Sequence, residues 1–337
     1  MKKIQQSPNY KNGRFQNLSI TSQMTSGKNI FATFWDLRSK TSKRLKPKNE
    51  IPCVKTDLLN LDKNENVLIW FGHSSLFIQT GGKRFLIDPV FEKPASPVFF
   101  FNRPFKGAQG CSVKDIPEID YLIISHDHWD HLDYKTALAL KDKLSKVICG
   151  LGVGAHFERW GYQKDKLIEL DWNEEAVLDD KFKVYCLPAR HFSGRGIKRD
   201  QSLWASFLIE SKDYKFYIGG DSGYDSFYKE IGMKFGPIDL AALDCGQYNY
   251  AWKYIHMTPE ETARAAKDLN AKNLIPVHSS KYALSMHAWD EPLKRVSQAV
   301  KSVPEYISVR LITPVIGEKV RLKDETQKFK EWWTEVE

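Results

Sequence analysis

Cysteine is sparse in this chain, long apolar runs are missing, and acidic residues are nearly absent from one end. The five Cys (Cys53, Cys111, Cys149, Cys186 and Cys245) are odd in number and lack CxxC spacing. That pattern excludes a disulfide framework and a thiolate metal site, and reads as small core residues. No stretch approaches the ~20 consecutive apolar residues of a membrane span. The segment from Met1 to Ser7 also lacks the apolar core of a signal peptide, so a cytoplasmic protein is expected. Internal repeats and low-complexity segments are missing too. What remains is 337 residues with 42% apolar content, enough for a packed core in one large or two small domains.

The shortage of acid is local. Residues 1–60 hold 12 Lys and Arg against three Asp and Glu, so the excess behind the formal charge of +8 sits in that stretch and the rest is near neutral. The expected organisation is a basic N-terminal arm over 1–60 and a main body over 61–337. Within the arm, the basic run from Arg38 to Lys48 lies close to Phe31, Phe34 and Trp35. This mixture suits peripheral contact with an anionic membrane surface. The bland alternative is a solvated strap whose aromatics pack on the body. Nucleic acid is not an expected partner, because the body carries no basic excess and no separate nucleic-acid domain is visible.

Histidine is also scarce, nine in all, yet three fall within six residues as His126-Asp-His128-Trp-Asp130-His131. This cluster directly follows the apolar run Tyr121 to Ile124, which places it at the end of a buried strand. In extended chain alternate side chains face the same way, so His126 and His128 can pinch one cation. Asp130 and His131, where the backbone turns toward a helix, can reach a second cation beside it. A His-rich polar loop is the bland reading.

Other strands are expected at 66–71, 75–79, 83–87, 120–125, 146–149, 182–187, 204–210, 214–219, 239–243, 273–277 and 307–313. Helices are expected from Asp133 to Leu144 and, behind a Thr258-Pro-Glu-Glu261 capping box, to about Leu269. Three further metal-ligating side chains each follow an apolar strand: His191, Asp221 and His278. That repeated placement marks a site on one rim of a sheet. Two Gly precede Asp221, so the backbone there can approach closely and the carboxylate can bridge two ions.

The order His126-x-His128-x-Asp130-His131, then His191, Asp221 and His278, resembles the metallo-β-lactamase superfamily. Its fold is an α/β (α+β) arrangement, an αββα sandwich of two mixed β-sheets flanked by helices. Longer strings narrow the resemblance. Trp70-Phe-Gly-His-Ser74, Ile87-Asp-Pro-Val90, Gly219-Gly-Asp-Ser-Gly-Tyr224 and His256-Met-Thr-Pro-Glu-Glu261 are similar to the N-acylphosphatidylethanolamine-hydrolysing phospholipase D family, over roughly residues 66 to 290.

The resemblance implies that His126, His128 and His191 hold one divalent ion, that Asp130, His131 and His278 hold the other, and that Asp221 bridges them. Zinc is the expected metal, with manganese and iron also compatible with nitrogen and oxygen ligands. Asp88 and His73 are implied as supports that orient the ligands, and Asp130, Asp221 and His256 as catalytic residues. Ile255 departs from the mammalian family members, which carry Gln there. Metal-dependent hydrolysis is the expected chemistry, with a phospholipid phosphodiester as substrate, and Pro97 to Phe105 either lines an acyl groove or, equally, packs in the core. A lactonase acting on a sugar phosphate, or a non-catalytic metal-binding module, are the alternatives.

Overall fold

The computed structural model describes residues 2–25, 42–92, 95–96, 102–196 and 198–336. A short helix α1 (Lys2–Gln6) and a small hairpin, β1 (Tyr10–Lys11) with β2 (Arg14–Phe15), precede the body. In the first large sheet β3 (Val67–Trp70), β4 (Leu76–Thr80) and β5 (Lys83–Ile87) run antiparallel. From β5 onward, β6 (Ile119–Ile124), β7 (Leu144–Gly150) and β8 (Leu167–Leu170) are parallel.

The second sheet repeats this plan. Its antiparallel half is β9 (Glu175–Val177), β10 (Phe182–Leu187), β11 (Ser206–Ser211) and β12 (Lys215–Ile218). The parallel half adds β13 (Ile238–Asp244), β14 (Ala271–Val277) and β15 (Arg310–Leu311). Finally β16 (Lys319–Arg321) crosses back to pair with β3, closing the edge of the first sheet.

Alternation along the strands sorts side chains into layers. In β3, Leu68 and Trp70 join the core between the sheets, while Val67 and Ile69 face the outer layer. Phe207, Phe216 and Ile275 meet them from the second sheet. Outside the first sheet lie α2 (Tyr134–Leu140) and α3 (Gly154–Arg159). Outside the second lie α4 (Phe227–Phe235), α5 (Pro259–Asp268) and α6 (Glu291–Ser302). The result is the expected αββα sandwich.

Local signals held well where the chemistry was specific. Thr258 accepts from the Glu261 N–H while the Glu261 carboxylate accepts from the Thr258 N–H, and Pro259 opens α5. Two boundaries moved. The helix expected to Leu144 ends at Leu140, because Lys141–Lys143 tighten into a 3-10 turn and Leu144 already pairs in β7. The strand expected over 307–313 shrinks to Arg310–Leu311, since a 3-10 turn at Pro304–Tyr306 takes up the approach.

Candidate metal centre

The parallel halves of both sheets point their strand ends toward one rim, and the metal-ligating side chains collect there. After β6 the backbone folds tightly, with N–H groups of His131 and Leu132 both donating to the His128 carbonyl. Asp133 then caps α2 by accepting from the Thr136 N–H at 3.0 Å. Arg195 pins the turn by donating to the carbonyls of Asp127 and Leu132 while its guanidinium lies 3.8 Å from the Trp129 ring centroid. Asp221 enters behind Gly220, whose backbone has φ +60; a Cβ there would lie 2.8 Å from Ser125 Cβ.

Two adjacent groups of side chains result, each with ligand atoms within 4.8 Å of one another, His126, His128, His191 and Asp221, and beside them His73, Asp130, His131 and His278; a third such group, Asp221, Asp244, His256 and His278, overlaps both. Asp221 lies between the groups. Its Oδ2 is 3.1 Å from His131 Nε2 and 3.2 Å from His278 Nε2, and 3.8 Å from Nε2 of both His126 and His191. His126 Nε2, His131 Nε2 and Asp221 Oδ1 are buried without a hydrogen-bond partner. Orphaned lone pairs converging in a dry interior cost free energy unless something collects them. Divalent cations fit this donor set, and nitrogen and oxygen ligands without thiolate suit zinc, manganese or iron.

Supports surround the cradle. The Asp88 Oδ2 lies 2.9 Å from His131 Nδ1 and accepts from the Ser125 hydroxyl, which itself lies 3.0 Å from His126 Nδ1. One carboxylate thereby orients a ring in each group. His73 Nε2 holds Asp130 Oδ2 at 2.9 Å, and the Ile255 carbonyl takes Nδ1 of His191 at 2.9 Å.

Electrostatics follow from burial and crowding. Burial, reinforced by repulsion from neighbouring rings, drives His126 and His191 well below the ordinary histidine range, and lowers His73 to about 3. Burial also opposes charge on His131 and His278, yet Asp221 outweighs it in both, raising His278 to about 10. Desolvation is likewise overcome at Asp130 and Asp221, held well below the carboxylate range by His131 and its neighbours. The ionised carboxylates and the neutral imidazoles of His126 and His191 suit a cation as they stand, whereas His131 and His278 would each release a proton on binding one.

The chain belongs to the metallo-β-lactamase superfamily: the sequence model of the beta-lactamase superfamily domain matches residues 83–279. An uncharacterized protein of Mycobacterium tuberculosis is 37% identical over 98% of this chain and 88% of its own length. A Caenorhabditis elegans protein named N-acyl-phosphatidylethanolamine-hydrolyzing phospholipase D 1 is 29% identical over 74% of each chain. Among solved structures, Igni18, a metallo hydrolase from Ignicoccus hospitalis, aligns with a TM-score of 0.56 at 19% identity, covering 76% of this chain and 97% of that one. All seven residues expected to ligate metal fall within the matched superfamily segment, while His73 precedes it.

This superfamily member also builds its site from places the sequence did not announce. Residues 14–25 of the expected arm lie along the rim: Asn17 donates to the His191 carbonyl and accepts from its N–H, and Arg190 donates to Ile20 and Thr21. Phe31, Phe34, Trp35 and the start of the basic run at Arg38 lie outside the described residues. Of the aromatics between Pro97 and Phe105, only Phe105 is described, and it follows the core-packing reading. Phe105 packs into the core between the sheets because its N–H is held by the buried Lys281 carbonyl, and 97–101 lie outside the described residues. A cavity of about 300 Å³ beside the cradle is walled instead by Met24, Phe192, Trp252, Ile255 and Leu284, with His256 and Arg199 at its polar side. Asp244 was missed, although it ends the apolar run Leu240 to Leu243 by the same rule that located Asp221 and His278. No helix among the described residues is long and apolar enough to cross a membrane.

Proposed function

We propose that this metallo-β-lactamase superfamily hydrolase is a dinuclear metal-dependent phosphodiesterase of phospholipase D type, with N-acylphosphatidylethanolamine-like phospholipids as substrates and zinc as its metal. The observation that carries the reading is a doubled ligand cradle opening onto an apolar wall. Two bound cations would supply Lewis acidity toward water and toward the phosphoryl oxygens. The chain does the rest. His126, His128 and His191 would hold one cation, Asp130, His131 and His278 the other, and Asp221 both.

Apolar side chains of Met24, Trp252, Ile255 and Leu284 would take hydrocarbon next to the phosphorus. His256, which also lines the cavity, would face the departing oxygen, and Asn17 of the rim segment holds the His191 backbone. Leu18 and Ile20 stand exposed in the segment that leads to Met24 of the cavity wall, Ile20 at 97%. With the basic residues of the N-terminal stretch, they would rest on an anionic membrane surface and admit a lipid from it. The C. elegans relative's name agrees with this substrate class.

The test is a hydrolysis screen of zinc-loaded protein on N-acylphosphatidylethanolamine vesicles, simple phosphodiesters and lactones. Release of phosphatidic acid and N-acylethanolamine, abolished in Asp221→Asn and His256→Ala, is the expected result. Lactone opening without any phosphatidic acid would overturn the reading in favour of a lactonase. A protein that binds metal and hydrolyses nothing would be a binding module.

A further inference from the structure

We propose that Asp244 is a positioning residue that yokes the cation-facing ring of His278 to the cavity-facing ring of His256, so that His256 delivers a proton to the leaving oxygen. This inference rests on the phosphodiesterase reading. Asp244 ends β13 and is fully buried. Its Oδ2 lies 2.8 Å from His256 Nδ1 and its Oδ1 lies 3.2 Å from His278 Nδ1. Backbone N–H groups of Ser222 and Gly246 donate to the same carboxylate at 3.3 and 3.2 Å.

With four nitrogen neighbours the carboxylate acts as an acceptor, so both imidazoles present Nδ1–H to it. The tautomers follow. His278 is left with Nε2 toward Asp130 and Asp221, at 3.4 and 3.2 Å. His256, whose ring lines the cavity, is left with Nε2 as the nitrogen it offers there. The two rings stack with centroids 4.9 Å apart at 23°, so a turn of either disturbs the other. Gly246 permits this packing, because a Cβ there would lie 2.0 Å from the His278 carbonyl oxygen.

In the step itself a water oxygen bonds to phosphorus and gives a proton to Asp130. The bond from phosphorus to the alcohol oxygen breaks, that oxygen takes the Nε2 proton of the doubly protonated His256 imidazolium, the ring is left as the neutral Nδ1–H tautomer, and exchange with solvent restores both groups. An alkoxide needs this proton; a nitrophenolate does not.

The decisive experiment uses the full zinc-loaded chain and two lipids that differ only in the leaving group, phosphatidyl-N-acylethanolamine and phosphatidyl-p-nitrophenol. Asp244→Asn and His256→Gln are expected to lose turnover of the first by ~10²- to 10⁴-fold while keeping most turnover of the second, with zinc stoichiometry unchanged by elemental analysis. Equal loss on both lipids, or full activity of Asp244→Asn on the first, overturns the proposal. Nitrogen-15 histidine spectra give a readout that needs no turnover. Downfield Nδ1–H signals of both rings are expected in the wild type, with the His256 signal lost in Asp244→Asn; retention of both would overturn the yoke. Inactivity of the wild type on both lipids, with the paired signals present, would sink the phosphodiesterase reading and leave the clamp standing.

Discussion

The two ends of the sandwich share strands, core and helices, yet only one is built for chemistry. The end away from the metal centre has a cavity of about 660 Å³ lined by Asn64, Asn66, Thr80, Lys181 and Lys323, roomier than the 300 Å³ beside the cradle. Its polar groups are already paired: Asn66 Oδ1 takes the Thr80 hydroxyl and the Gly81 N–H, and Lys272 binds Asp239. Its hairpin turns through Gly81 and Gly82 at positive φ, where glycine costs nothing. Positive φ on non-glycine residues occurs at both ends, on Lys323 at the far one and on His73, Asp88, Gln247 and His278 at the metal one. A non-glycine residue in that region carries strain of about 1–3 kcal/mol, tolerated where surrounding contacts over-determine it. Volume alone therefore fails to locate the site, whereas convergent and unpaired polar groups succeed.

The largest break in this contrast is expected from Asp221→Asn, which removes the one carboxylate shared by both ligand groups. Metal content measured by elemental analysis should fall, and turnover should drop on the order of 10³-fold or more, the scale of losing a central charge stabiliser. Retention of two ions per chain would remove Asp221 from its bridging place. Next in size is Asp88→Asn. Because Asp88 orients His131 directly and His126 through Ser125, zinc affinity by competitive chelator titration should weaken by about 10- to 100-fold with the fold intact.

Lys281 sharpens the comparison through stability. It is buried beneath the metal rim, donating to the carbonyls of Phe71 and Val90, with the thiols of Cys53 and Cys111 as its titratable neighbours. Burial lowers it to about 8 from 10.5. The folded state then sheds this proton before the unfolded chain does, so the wild type should gain stability relative to Lys281→Met as pH rises from about 8 to 10.5, by up to a few kcal/mol. Denaturant midpoints that run parallel for the two proteins across that window would contradict it. The smallest effect is reserved for the far end: Lys323→Ala should leave metal content and turnover unchanged and alter stability within about 0.5 kcal/mol. A loss of activity there would mean that the larger cavity matters after all.

Much of the site was legible because metal chemistry writes itself into residue types. His126 to His131 declares its role by density, and Asp221 and His278 by following apolar strands, since a rim site takes its groups from strand ends. Asp244 obeys the same rule and was passed over because nothing beside it looks unusual in one dimension. Asn17 had no local signal at all, as its partner His191 stands 174 positions away. Phe105 stayed open between groove and core because an aromatic run looks alike in either place, and only its neighbours decide.

By itself the sequence determined which chemistry was possible: apolar alternation that must form buried strands, and a ligand set with no thiolate that calls for cations bound by nitrogen and oxygen. Tertiary structure alone decided the grouping of those ligands into two overlapping sets, the sharing of Asp88 and Asp244 between rings, and the wrapping of residues 14–25 along the rim. The reason is physical: a local pattern records what each residue can do, while convergence from distant strand ends depends on how two twisted sheets pack, and that is settled only when the whole core is buried.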